Sequence, residues 1–316
     1  MSRASTALLA ALLSGLLASG CAGSGDDARP GAGELADYLP PAAPQVAVVD
    51  FDALRSELGL AADADVSGFE LAELEPDEQR LVRSGALVLP QVRVVSQLLI
   101  DDDPLAEAMD GSLIHAAAAD LFTTRTAAIA TDQPFDEIAE VLSRRGFVER
   151  DGILSNPANG GEQGIGSSIY SAVAEGPDGV VLVAGSDDTL AALVADPAGG
   201  PEALRAVLER PEGATRIAAE ATPFASPPAS AACIVELAIG EDLGDSSGEI
   251  IFELDGEADP AGFDPEAAEA AGLDASEPTA DGQFLSVPYS FAADEEFTPL
   301  AELFGTGRLG ELYDCP

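Results

Sequence analysis

Three stretches of this chain repeat one local design, and that design limits the folds open to it. Each is an apolar, strand-like run, then a polar residue suited to capping, then a short amphipathic helix. In the first, residues 46–49 lead to Asp50 as cap and to a helix carrying Leu54 and Leu58, stopped by Gly59. In the second, residues 126–131 precede Asp132 near the cap and Pro134 in the first turn. Phe135, Ile138 and Leu142 then share one face, and Gly146 ends the helix. In the third, residues 180–184 precede Ser186 as cap, with Leu190, Leu193 and Val194 on one face. A short polar side chain accepts from the free N–H groups of a first helical turn, and spacing at i, i+3 and i+4 gathers apolar groups on one side. A glycine just past the run supplies the left-handed backbone that closes a helix.

Between the second and third units, residues 147–148 and 152–154 look strand-like on either side of a polar turn at Asp151. Residues 169–174 and 180–184 flank Gly176-Pro177-Asp178-Gly179, a strong hairpin turn. Residues 124–195 are therefore expected to run β-α-β-β-β-α with antiparallel pairing. Further on, residues 234–239 and 249–254 form a second hairpin across the polar stretch 240–248. Residues 284–289 add a third strand, and a short helix lies near 266–271. Residues 76–84 and 104–122 are expected to be helical, the second interrupted at Asp110-Gly111, and the apolar run 87–100 is either strand or buried helix. The expected class is α+β: mainly antiparallel sheet with short helices from repeated strand-cap-helix units. Their spacing is too irregular for a repeat array. Residues 219–230, with Pro223, Pro227 and Pro228, form the best internal linker. It separates an α+β domain over 38–218 from a β-rich subdomain over 231–316.

Charge narrows the partners. The chain has 57 acidic residues against 14 basic ones, and all the basic ones are Arg. A surface this negative repels phosphate backbones and anionic headgroups, which excludes nucleic acid as a partner and excludes a basic membrane-binding patch. The acids are spread along the chain, as in a solubility adaptation to salt. Hydrophobic residues make up 47% of the chain, enough for a sizeable core, but only 5% of residues are aromatic and none is Trp. That core is built from Ala, Val, Leu and Ile.

The N-terminus carries a different kind of signal. Residues 1–3 include Arg3, and residues 7–17 (ALLAALLSGLL) are an apolar run of 11 residues. That is too short for a spanning helix and suits the apolar part of an export signal. Ala18-Ser19-Gly20-Cys21 follows and resembles the lipobox of bacterial lipoproteins, in which small residues precede an obligatory Cys. Ala18 stands where Leu is preferred, with Leu17 one place upstream. The resemblance implies cleavage after Gly20, acylation of Cys21 and a lipid-anchored, extracytoplasmic protein. The membrane is then the partner, through acyl chains of the palmitate type. Residues 21–37, rich in Gly, Ala and Asp, are expected to form a flexible tether.

With Cys21 assigned to lipid, Cys233 and Cys315 remain as an even pair, and a disulfide between them is the economical expectation in an oxidising compartment. The segment Asp178-Gly179-Val180-Val181-Leu182-Val183, with Ser186, is also similar to a strand-then-helix pattern in a loose class of uncharacterised bacterial envelope proteins. That class carries no established activity.

Chemistry-bearing motifs are few. Asp63-Ala64-Asp65-Val66-Ser67-Gly68 imitates the start of a calcium loop, but position eight is Glu70 and position twelve is Leu74 where a bidentate Glu is needed. A solvated acidic turn fits better. Asp101-Asp102-Asp103 before Pro104 suits a helix cap. A calcium site there, drawing in Asp103 and Asp110, would need a loop folded around the ion. His115, the sole histidine, lies in an Ala-rich run and is expected to be a packed, hydrogen-bonded residue. Residues 160–166 (GGEQGIG) lack the Lys-Ser/Thr of a phosphate loop. With one His and no Lys, most nucleophile and base chemistry is missing. No catalytic residue, metal or cofactor is assigned. The expected role is non-catalytic binding or envelope support. Two alternatives stand beside it: a hydrolase using Asp and Glu side chains, for which aromatic sugar platforms are lacking, and a calcium- or salt-dependent surface module.

Overall fold

Residues 46–49 are apolar at every position, so a strand there buries both of its faces and needs cover on each. The computed structural model of the chain describes residues 30–67, 74–89, 104–120, 125–156, 170–195, 199–211, 213–221, 232–292, 298–306 and 308–315. It places that run as β1 (Gln45–Asp50) near the middle of one antiparallel sheet. The class is α+β, with short helices on a large antiparallel sheet.

The other strands are β2 (Ile114–Asp120), β3 (Thr126–Thr131), β4 (Val148–Arg150), β5 (Ile153–Ser155), β6 (Ala172–Glu175), β7 (Val180–Ala184), β8 (Arg216–Ala221), β9 (Ile234–Asp242), β10 (Ser247–Leu254), β11 (Asp274–Ala275), β12 (Thr279–Asp281) and β13 (Phe284–Ser290). Their order across the sheet is β11-β13-β10-β9-β8-β1-β2-β3-β7-β6-β5-β4, with β12 also pairing β13. The helices are α1 (Ala32–Leu35), α2 (Phe51–Glu57), α3 (Pro76–Gly85), α4 (Pro104–Ala108), α5 (Phe135–Arg144), α6 (Asp187–Ala195), α7 (Glu202–Leu208), α8 (Pro265–Ala270) and α9 (Pro299–Thr306). Among the described residues, none of these is long and apolar enough to cross a membrane.

Alternation along the strands divides the core in two. Ala47, Val49, Ala117, Ala119, Ala127 and Ile129 meet Phe51 and Leu54 of α2, Leu81 of α3, Ile138 and Leu142 of α5, and Leu300 and Leu303 of α9. Val46, Val48, Ala116, Ala118, Ala128 and Ala130 meet Leu35 of α1, Leu190 of α6, and Leu204 and Val207 of α7. Small alanines in the central strands let the helical layers approach closely from both sides.

All three strand-cap-helix units are present. Asp50 Oδ1 accepts from Ala53 N at 2.9 Å, and Gly59 has φ +66°. Ser186 Oγ accepts from Thr189 N at 3.2 Å. Two details differ. Pro134 is the N-cap of α5 rather than part of its first turn. Val194 is 41% exposed, because α6 turns only Leu190 and Leu193 inward.

Larger differences arise where sheet pairing overrides local preference. Residues 104–122 were expected to be helical, since Ala is the strongest helix former. Only α4 is. Gly111–Leu113 makes a 3-10 turn, and the Ala run is β2, held by ladders to β1 and β3 on both sides. Four strands separate α5 from α6, one for each strand-like run though one more than the β-α-β-β-β-α pattern counts, because Val148–Arg150 and Ile153–Ser155 each pair around the Asp151-Gly152 turn. The polar stretch 240–248 is mostly strand. β9 and β10 run on through Gly240 and Gly248, where a Cβ would lie 2.4 Å from Pro211 Cβ and 2.4 Å from Tyr289 Cζ respectively. These glycines serve close packing rather than turning. The range expected to be a tether includes ordered structure: Ala32–Leu35 is helical and Leu35 is fully buried. The expected linker at 219–230 begins inside β8, and β8 pairs β9 directly, so no break in the sheet marks that boundary. The run 90–103 lies outside the described residues.

Candidate functional site

Polar chemistry gathers at a few places in this fold. His115 projects from β2 between two carboxylates. Its Nδ1 lies 2.9 Å from Asp52 Oδ2, and its Nε2 lies 3.1 Å from Asp132 Oδ2. Asp52 comes from the first turn of α2 and Asp132 from just past β3. The carboxylates sit on opposite edges of one imidazole, so the three cannot converge on a metal ion. They clamp α2, β2 and the turn before α5 together. Asp52 also accepts from Arg55 Nη1 at 3.0 Å. Arg55 is 1% exposed and spends its other N–H groups on Ala64 O, Ile114 O and Gly111 O. It thereby fixes the loop that holds Asp63 and Asp65.

In that loop, Asp65 Oδ1 accepts from Ser67 N and Ser67 Oγ, both at 2.7 Å. Asp65 is therefore committed to a local turn, and Asp63 is exposed. Asp110 likewise accepts from Ser112 N at 3.0 Å and Ser112 Oγ at 2.7 Å. Asp101, Asp103, Gly160–Gly166 and Cys21 lie outside the described residues. Among the described residues, no group of three or more His, Cys, Asp or Glu is placed to hold a metal ion. Cys233 and Cys315 are joined, with Cα atoms 5.7 Å apart.

Two clusters were not anticipated. The first is the buried pair of Arg216 on β8 and Glu241 on β9, 3% and 0% exposed, whose Nη2 and Oε2 are in contact. Arg216 Nη1 donates to Ser84 Oγ at 3.0 Å, and its Nη2 donates to Thr298 Oγ1 at 2.8 Å. Glu241 Oε1 accepts from Tyr289 OH at 3.1 Å and from Leu300 N at 2.7 Å. Burial and then the Glu241 charge hold the Tyr289 hydroxyl well above its usual range. This network fastens α3, α9 and β13 to the middle of the sheet. The available signal was one opposite charge at the end of each of two apolar runs, Arg216 before Ile217-Ala218-Ala219 and Glu241 after Ile239-Gly240.

The second is a pair of carboxyls, Glu236 on β9 and Glu253 directly across on β10. Burial and then the Glu253 charge raise the pKa of the Glu236 carboxyl. Apart from these clusters lies a cavity of about 410 Å³ between α1 and α7, edged by Glu34, Asp37, Leu208 and Glu209. Arg205 closes one side by pairing with Asp37 at 2.5 Å. Neither the His115 clamp nor the Glu236–Glu253 pair lines it.

No known protein family matches this chain, and no curated protein matches it. Among solved structures, crystal form I of TP0453 aligns at a TM-score of 0.44 with 10% identity, over 86% of this chain and 96% of that one. Crystal form III aligns at 0.41 with 10% identity, over 85% and 97%, and crystal form IV at 0.40 with 11% identity, over 85% and 95%. No residue role and no activity is carried over from so distant a likeness.

Proposed function

We propose that this chain is an extracytoplasmic lipoprotein with a non-catalytic binding or envelope-support role, exported by residues 1–20 and anchored through acyl chains on Cys21. The observation that carries the proposal is the disulfide between Cys233 and Cys315. It occupies two of the three cysteines in the chain and leaves Cys21, behind its apolar leader, as the one thiol open to modification. A disulfide also suits export to an oxidising compartment. The non-catalytic half draws support from the His115 and Arg216–Glu241 clusters, whose charged groups pair with one another and tie elements together, and from their separation from the cavity. Two or more acyl chains, at about 0.8 kcal/mol per buried methylene, anchor such a body durably without any basic patch.

Intact-mass and peptide spectrometry of the native protein tests this. The expected result is a mature chain beginning at Cys21 and carrying fatty acid. Cys21→Ala is expected to leave the leader uncut and to abolish incorporation of labelled palmitate. A mature chain free of fatty acid, or a Cys21→Ala variant that still incorporates label, is inconsistent with the anchor.

A further inference from the structure

Two carboxyls opposed across a strand pair ordinarily repel and turn out to water. Glu236 does not, being only 7% exposed. Its Oε2 and that of Glu253 are both buried, and neither has a donor from elsewhere among the described residues. Among the described residues, the neighbours offer no compensating charge. Ala221 stands opposite Glu236 on β8, and Phe284 stands opposite Glu253 on β13. Gln283 Nε2 donates to Glu253 Oε1. Arg210, just beyond α7, stacks 3.4 Å from the Phe284 ring centre and 3.7 Å from Asp281 Oδ2. On α7, Arg205 is engaged by Asp37, and Glu202, with Glu209 just past the helix, brings only further negative charge. Glu249, on the same face of β10, accepts from Ser286 Oγ.

A neutral carboxylic acid donates as well as accepts, whereas a carboxylate only accepts. One proton therefore satisfies both groups, and none leaves two buried anions face to face. We propose that Glu236 and Glu253 share a single proton that latches the open end of the β9–β10 hairpin, and that losing it loosens the strand ends beside the Cys233–Cys315 disulfide. The location suits a latch. The ladder slips between Glu253 and Leu254, Leu254 pairs with Ile234, and Val235 is left 40% exposed. Beyond it, Asp255 N donates to Cys233 O at 2.9 Å and closes the end. The latch does not depend on the lipid anchor.

Burial, then the charge and hydrogen bond of Glu253, push the Glu236 carboxyl from an ordinary 4.5 to about 7. Its pKa is raised in the closed form, so the latch is fully present below the ordinary value and is lost as pH climbs to about 7. Across that window the closed hairpin holds one proton more than the open one. Its opening constant then rises by up to about tenfold per pH unit and levels off above neutrality.

Hydrogen–deuterium exchange of the full chain, corrected for intrinsic rates and followed over the peptide containing residues 234–254, reads this directly. Between about pH 5.5 and about pH 7 the opening constant is expected to rise at least tenfold in the wild type. Glu236→Gln and Glu253→Gln, which replace the shared proton with a fixed amide donor, are each expected to flatten that rise. His115→Gln removes the sole imidazole of the chain and is expected to leave the rise intact. A rise that persists in both Gln variants overturns the proposal. Infrared spectra of the wild type alone give an independent reading: a buried, protonated carboxyl band is expected at about pH 5.5 and is lost by about pH 8. Its absence at the lower pH overturns the proposal even if neither variant folds.

Discussion

Glu241 is fully buried, and its carboxylate accepts from Arg216, the Tyr289 hydroxyl and Leu300 N. Removing its charge while keeping its shape, as in Glu241→Gln, strands the Arg216 guanidinium in the core. Breaking one side of a buried ion pair costs about 3–5 kcal/mol. The expected outcome in urea unfolding is a loss of that size for Glu241→Gln, Glu241→Leu or Arg216→Met alone. The double variant Arg216→Met/Glu241→Leu is expected to recover much of it, since apolar groups of similar volume carry no desolvation cost. If the double variant is as unstable as the sum of the singles, the two residues do not act as a pair. None of this was legible in the sequence. A single Arg and a single Glu beside apolar runs look the same whether they face each other or water, and only the register of β8 against β9 brings them together.

At the scale of elements, the strand-cap-helix units were legible because capping and periodicity are local. Asp50, Ser186 and Gly146 act within a few residues of where they stand. The run 114–120 was not, because Ala suits a helix in isolation and its strand state comes from β1 and β3, which pair with it on both sides. The same pairing explains why the run is Ala. Ala116 and Ala118 lie under the α1 layer while Ala117 and Ala119 lie under the α2 layer, all nearly or fully buried. A larger side chain at Ala118 would push the helical layer off the sheet. Ala118→Leu is therefore expected to cost about 1–3 kcal/mol, the usual penalty for overpacking a filled core. Thermal melting followed by circular dichroism checks it. Were residues 114–120 a surface helix, the same change would be close to neutral. Among the candidate sites, the disulfide was legible from cysteine arithmetic, whereas the His115 clamp needed the strand assignment that the Ala run concealed.

At the scale of the molecule, one sheet carries strands from β1 to β13, and the excess of acid bears on all of it. Even if every Arg were paired, 57 − 14 = 43 carboxylates would remain, and each exposed pair is worth only about 0–1 kcal/mol. Repulsion among the unpaired acids therefore outweighs attraction at the surface. Added salt shortens the screening length from about 10 Å at 0.1 M to about 3 Å at 1 M, which relieves that repulsion more than it weakens the surface ion pairs. The buried Arg216–Glu241 pair is shielded from this change by its lack of exposure. The expected outcome is a urea midpoint that rises as sodium or potassium chloride goes from about 0.05 M to about 1 M. The continuous sheet adds a second expectation for the same measurement. Tyrosine fluorescence and circular dichroism should give one coincident transition at each salt concentration, because strands on both sides of residues 219–230 pair with each other. A midpoint that falls with salt would mean surface ion pairs dominate. Two separate transitions would mean the β9–β13 part folds on its own despite sharing the sheet.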